Sequence, residues 1–144
     1  MKRLAVLALA LLAAPAAAKD ADYPINPGYW EMTMTWLGLV TTTERYCVEP
    51  RNIRKFIAAP CNHIYHCNYP VETIADGKAH FDGYIRGNNE LYHVTGGGAY
   101  SPTTLDMHMS GSGHWKMVPI ADAQASLKAH FLGADCPADA KRFK

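Results

Sequence analysis

The sequence predicts a mainly β fold: an antiparallel meander or curved sheet of five to seven strands, with one or two short helices and a stabilising set of disulfides. Three observations point there. Residues 29–37 alternate strictly, with Trp30, Met32, Met34 and Trp36 on one face and Glu31, Thr33 and Thr35 on the other, the period of a half-buried strand. Asp76-Gly77 and Asn88-Asn89 are turn dipeptides set between stretches rich in β-branched and aromatic residues, the pattern of hairpins. Four cysteines, Cys47, Cys61, Cys67 and Cys136, form an even set beyond an N-terminal export leader, which reads as two disulfides in an oxidising compartment.

The leader is residues 1–18: Lys2 and Arg3, then a Leu/Ala run too short to span a bilayer, then small residues at Ala16 and Ala18, the layout of a secretory signal peptide. Cleavage after Ala18 leaves residues 19–144, one domain's worth of chain. Two of the fourteen basic residues lie in the leader, so twelve remain against thirteen acidic ones, a net charge near −1. That balance gives no electrostatic footprint for nucleic acid. No later apolar run is long enough for a transmembrane anchor. With no Asn-x-Ser/Thr sequon present, the expected location is the bacterial periplasm rather than a glycosylating secretory pathway.

Along the chain, Gly38 ends the first strand and residues 41–48 read as its antiparallel return. A short helix follows, with Pro50 at its first position, Ile53, Phe56 and Ile57 as its apolar face, and Pro60 as its stop. Residues 65–74 and 78–86 form a hairpin about Asp76-Gly77, and Pro70 places the first arm at a sheet edge or on a bulge. After Asn88-Asn89 comes a strand over 90–95, and the Gly96 to Gly98 run reads as a loop or bulge. Residues 103–109 alternate again, Leu105, Met107 and Met109 opposite Asp106 and His108. Residues 120–132 are Ala-rich, put Ile120, Leu127 and Phe131 on one helical stripe and meet Gly133, which predicts a helix. The Lys/Arg-rich end reads as a frayed tail.

Three segments, Pro27-Gly28-Tyr29-Trp30-Glu31, Cys47-Val48-Glu49-Pro50 and Leu132-Gly133-Ala134-Asp135-Cys136-Pro137, together resemble the bacterial domain of unknown function family 3617. That family comprises small exported proteins that open on a Pro-Gly-x-Trp-Glu strand and close on a glycine-and-cysteine element. The resemblance spans most of the chain after the leader and implies no activity, cofactor or partner.

Candidate chemistry is sparse. Thioethers and imidazole suit soft metals such as copper, and Met32, Met34, Met107, His108 and Met109 are the residues that offer them. Their spacing argues for core packing instead, because each methionine pair is two apart on a strand beside Trp or Leu while His108 points the other way. His63 and His66 fall on opposite faces of an extended segment. No Gly-x-Ser-x-Gly elbow or phosphate loop is present, so no catalytic residue and no cofactor is assigned. A curved sheet can also hold a small apolar ligand or envelope component on its concave face, with Trp30, Trp36, Tyr84 and Tyr92 as lining candidates. The expected function is a non-enzymatic periplasmic binding or envelope-accessory module, with soft-metal binding as the alternative.

For the cysteines three connectivities exist. An extended segment between Cys61 and Cys67 would hold them about 20 Å apart at roughly 3.3 Å per residue, beyond the roughly 7 Å a disulfide spans, whereas a turn would bring them together. The helix between Cys47 and Cys61 favours that pair, leaving Cys67 with Cys136.

Overall fold

A computed structural model of the protein describes residues 23–58, 66–116 and 118–144. The expected leader and the expected helix stop at Pro60 lie outside these residues. In chain order the elements are β1 (Gly28–Trp36), β2 (Val40–Val48), a 3-10 turn (Pro50–Asn52) running into α1 (Ile53–Ile57), β3 (His66–Ala75), β4 (Lys78–Gly87), β5 (Glu90–Tyr100), β6 (Thr104–Trp115), β7 (Val118–Gly133) and β8 (Lys141–Arg142). All eight strands join one open sheet in the order β3-β4-β5-β6-β7-β1-β2-β8. Every neighbour is antiparallel except the short β8, which runs parallel to β2. The fold class is the one expected, with one strand more than the upper count.

β1 lies between β2 and β7 and organises the core. Trp30 is fully buried, its indole N–H donating to the Asn26 carbonyl at 2.9 Å, and its ring packs against Phe56 of α1 and Phe131 of β7. The helix forms where expected, with Pro50 in the first turn and Ile53, Phe56 and Ile57 buried. Leu105, Met107 and Met109 of β6, Leu127 and Ala129 of β7, Phe81 of β4 and Val94 of β5 complete one apolar cluster with them. Pro70 sits in an edge strand, inside a register shift between Asn68 and Val71, because a residue without an N–H cannot serve a continuous ladder.

Four expectations are corrected. Residues 120–132 are not a helix but most of β7, paired with β6 on one side and β1 on the other. Ala125, Leu127, Ala129 and Phe131 stand opposite Met34, Trp30 and their neighbours, while Gln124, Ser126, Lys128 and His130 face away, a two-residue period that two flanking ladders select over the helical propensity of alanine. Gly96 to Gly98 is neither loop nor bulge but the middle of β5. There a Cβ on Gly96 would lie 2.4 Å from the Phe81 ring and one on Gly98 1.9 Å from the Asp106 carbonyl oxygen, so the strands cross too closely for side chains.

The C-terminus is not frayed. Phe143 donates its N–H to the Cys47 carbonyl and stacks edge-on against Tyr46 and Phe56, and Lys141 and Arg142 pair with β2. Lastly, the disulfide is Cys47–Cys136, with Cα atoms 5.7 Å apart, which overturns the Cys47–Cys61 and Cys67–Cys136 pairing. Tyr29 of β1 is in register with both Cys47 and Gly133, so the chain leaving β7 passes under β1 and meets β2. Gly28, at φ +139°, permits that passage, since a Cβ there would lie 2.5 Å from the Gly133 carbonyl oxygen. Cys67 is also disulfide-bonded, and Cys61 lies outside the described residues.

Candidate functional site

The strand directions give the sheet two unlike ends. At one end lie α1, the Cys47–Cys136 bridge and the C-terminal residues; at the other lie the β1–β2, β4–β5 and β6–β7 hairpins. Among the described residues, five of the eight exposed large hydrophobic ones lie at these hairpins: Trp36, Leu37, Leu39 and Val40 at β1–β2, and Val118 at β6–β7. Four of them are nearly consecutive at the β1–β2 turn, with fractional exposures of 47%, 59%, 85% and 59% for Trp36, Leu37, Leu39 and Val40. Met34 and Ala125, half-buried against the core, continue the apolar face to the turn, Ala125 in register with Trp36.

The turn itself is unusual in sequence. Leu37 and Gly38 both take positive φ, +52° and +66°, and Leu39 N–H donates to the Trp36 carbonyl at 3.0 Å. Successive left-handed residues suit Asn, Asp and Gly, and a leucine there is strained. The β3–β4 hairpin makes the same kind of turn with Asp76 and Gly77, φ +51° and +73°. Beneath the β1–β2 turn, Thr35 and Thr41, and Thr33 and Thr43, pair their hydroxyls across the strands at 3.1 and 3.0 Å.

The opposite face of the sheet carries a polar trough of about 510 Å³. Two cross-strand rows build it: Asp82, Thr95, Ser110 and Gln124 in register, and His80, Gly97, His108, Ser126 and Thr35. Gly97 leaves a gap between the two imidazoles. At its margin the Asp82 carboxylate accepts hydrogen bonds from His93 Nε2 and Thr95 Oγ1, both at 2.9 Å, and these donors hold its carboxyl below the usual range. A smaller hollow of about 150 Å³ beside it is lined by His93, Ser112 and Asp122. The trough is an array of hydroxyl, amide and imidazole groups with the Asp82 carboxylate at its margin, able to hydrogen-bond a polar surface.

The sequence candidates separate. Met107 and Met109 are buried in the core and Met32 and Met34 half-buried on the same face, but two strands apart, with Leu127 of β7 standing between Met34 and Met107. His108 is on the other side of the sheet, 3.3 Å from Asp106. Among the described residues no group of three or more His, Cys, Asp or Glu side chains is placed to hold a metal ion. Of the aromatic candidates, Trp30 fills the core, Trp36 and Tyr92 lie on the apolar face, and Tyr84 is exposed on the polar one, beside His93. Leu37 and Leu39 are not singled out by alternation, which reads Gly38 as a punctuation mark; the signal for them is a leucine where a hairpin turn ordinarily carries Asn or Asp.

Comparison with known proteins yields one family. The profile described as "Protein of unknown function (DUF3617)" matches residues 25–136, from just before β1 to the disulfide-bonded Cys136. No curated protein and no solved structure matches the chain. Among the described residues no helix is long and apolar enough to cross a membrane.

Proposed function

The chain belongs to the DUF3617 family of proteins of unknown function, and from that premise we propose that it is an exported, non-enzymatic module that binds an apolar component of the bacterial envelope at the hairpin end of its sheet. One observation carries the reading: an apolar run, Trp36 to Val40, stands exposed in continuity with the apolar face. Runs of exposed hydrophobic residues favour aggregation in a freely dissolved domain and mark interaction surfaces when they are retained. Export by the expected leader supports the same reading, since an exported chain meets lipids and lipid-bearing proteins as its abundant apolar partners.

Native mass spectrometry tests this on protein taken from the periplasmic fraction without detergent, with and without added phospholipid. The wild-type chain, beginning at Lys19, should carry phospholipid-sized adducts that a Trp36→Ser/Leu39→Ser variant lacks. A retained metal mass would favour the methionine and histidine alternative, and a bare polypeptide in both preparations contradicts the proposal.

A further inference from the structure

We infer that the chain self-associates by joining the open edge of β2 to the same edge of a second copy, so that the two sheets continue across a two-fold axis. The inference is independent of the hairpin-end reading, since it rests on the backbone of one strand and not on the exposed turn.

The two edges of the sheet are unequally protected. β3, at one edge, carries Pro70 inside a register shift, and both devices blunt a strand against pairing with another chain. At the other edge β8 covers β2 only at Tyr46 and Cys47. Val40 to Arg45 therefore have β1 on one side and, among the described residues, no strand on the other, and all six are exposed. The stretch holds no proline, glycine or lysine and keeps an unshifted register with β1. It centres on Thr41-Thr42-Thr43, residues that favour extended chain.

Which backbone groups stand open follows from parity. The Cys47 carbonyl accepts the Phe143 N–H, so the polar backbone groups of Cys47 point away from β1, and along a continuous strand every second residue does the same. Arg45, Thr43 and Thr41 thus direct N–H and C=O outward, while Val40, Thr42 and Glu44 turn theirs to β1. An unpaired row of this kind takes an added strand.

A second copy supplies that strand without a mismatch. Antiparallel addition joins outward-facing residues only to outward-facing residues, and β8 stops a partner strand at Tyr46. For two copies of β2 the longest overlap within those limits sets Thr42 on the two-fold axis, Thr41 opposite Thr43 and Val40 opposite Glu44. Threonines then face threonines, a favourable cross-strand pairing, and no like charges meet. The Glu44 carboxylate is already held by Lys141 and the Tyr46 hydroxyl. Such a contact is isologous and closes on itself as a dimer. One short strand from each copy makes a small interface, so the association is weak and depends on concentration.

Sedimentation velocity of the chain beginning at Lys19, from about 5 to about 500 µM, tests this. The wild type should move from the monomer toward the dimer sedimentation coefficient across that range. Thr41→Lys/Thr43→Lys sets lysine opposite lysine at both ends of the overlap and should weaken the dimer by about tenfold, whereas Thr41→Glu/Thr43→Lys sets opposite charges there and should restore it. Val71→Lys, on the β3 edge, should behave as the wild type does. Thr42→Cys, on the axis where the Cα atoms of a non-hydrogen-bonded pair lie about 4.5 Å apart, should give a disulfide-linked dimer under mild oxidation that Thr41→Cys does not. A wild type that stays monomeric throughout overturns the inference. So does a double-lysine variant that dimerises as the wild type does, which would assign the contact to another surface. Should the double lysine disturb the far-ultraviolet circular dichroism, the crosslink decides alone, and its absence at Thr42→Cys overturns the pairing.

Discussion

The disulfide end and the hairpin end of the sheet are built from the same alternating strands but use their residues oppositely. At the disulfide end the aromatic side chains are covered, Trp30 by Phe56 and Phe131 and Phe56 in turn by Phe143, and Leu132 is the exception that stays exposed among the large apolar residues described there. Charges there are paired, Glu44 with Lys141 at 2.7 Å and Glu49 with Arg142 at 3.1 Å, and the Lys141 ammonium and the Tyr46 hydroxyl hold the Glu44 carboxyl below its usual range. At the hairpin end comparable apolar residues stand in water and the turn departs from the residues its geometry prefers. The three segments that carry the family resemblance all meet at the disulfide end, around Gly28, Cys47 and Cys136. They secure the fold, and the exposed β1–β2 turn lies elsewhere.

The contrast breaks most severely if the bridge is removed. Cys47 and Cys136 are 89 residues apart, and a loop of that length stabilises by about 4–5 kcal/mol in the chain-entropy model, a large share of the roughly 5–15 kcal/mol of a typical domain. The Cys47→Ala/Cys136→Ala variant should lose most of its cooperative thermal transition in calorimetry. Little change in the midpoint would show that the C-terminal contacts hold this end without the bridge.

Much of the fold is legible in the sequence because it is encoded locally. The alternation of β1, the Pro50 helix start with Ile53, Phe56 and Ile57 inward, the Asp76-Gly77 turn and the bulge at Pro70 each depend on a few adjacent residues. β7 is not legible in this way, since Ala123, Ala125 and Ala129 favour a helix until β1 and β6 take them up as a central strand. Nor is the cysteine pairing, which follows from β1 lying between β2 and β7, a fact of topology. The apolar end illustrates the same limit: Trp36 is read correctly onto the face of Trp30, but only the three-dimensional placement shows one covered and the other exposed.

A smaller and opposite-signed pair of effects separates two tyrosines. Tyr46, near the disulfide end, donates its hydroxyl to Glu44, whereas the Tyr69 hydroxyl is buried against Phe81 with no hydrogen-bond partner among the described residues. Tyr46→Phe should therefore destabilise by about 0.5–1.5 kcal/mol and Tyr69→Phe should be neutral or stabilise by about 1 kcal/mol. Burial is the main cause that pushes both hydroxyls up from their ordinary value of 10 to about 12, aided by Glu44 and Glu72 respectively. The folded state thus favours the neutral phenols. Their contribution is fully present below pH 10 and is lost as pH rises from about 10 toward 12, where the unfolded chain ionises first. Urea titrations across that range should show each Phe variant losing less stability than the wild type; equal losses would contradict the assignment.

The central claim is that the hairpin end holds its leucines for contact with something outside the domain, and at the expense of the fold. The thermal midpoint of Leu37→Asn tests it most directly. A leucine released from left-handed geometry relieves about 1 kcal/mol, which for a domain of this size raises the midpoint by about 4 °C, and the account predicts a midpoint unchanged or higher by that amount. A midpoint lower by several degrees would mean that Leu37 stabilises the fold, and would contradict the division of the sheet into an end that holds it together and an end that binds.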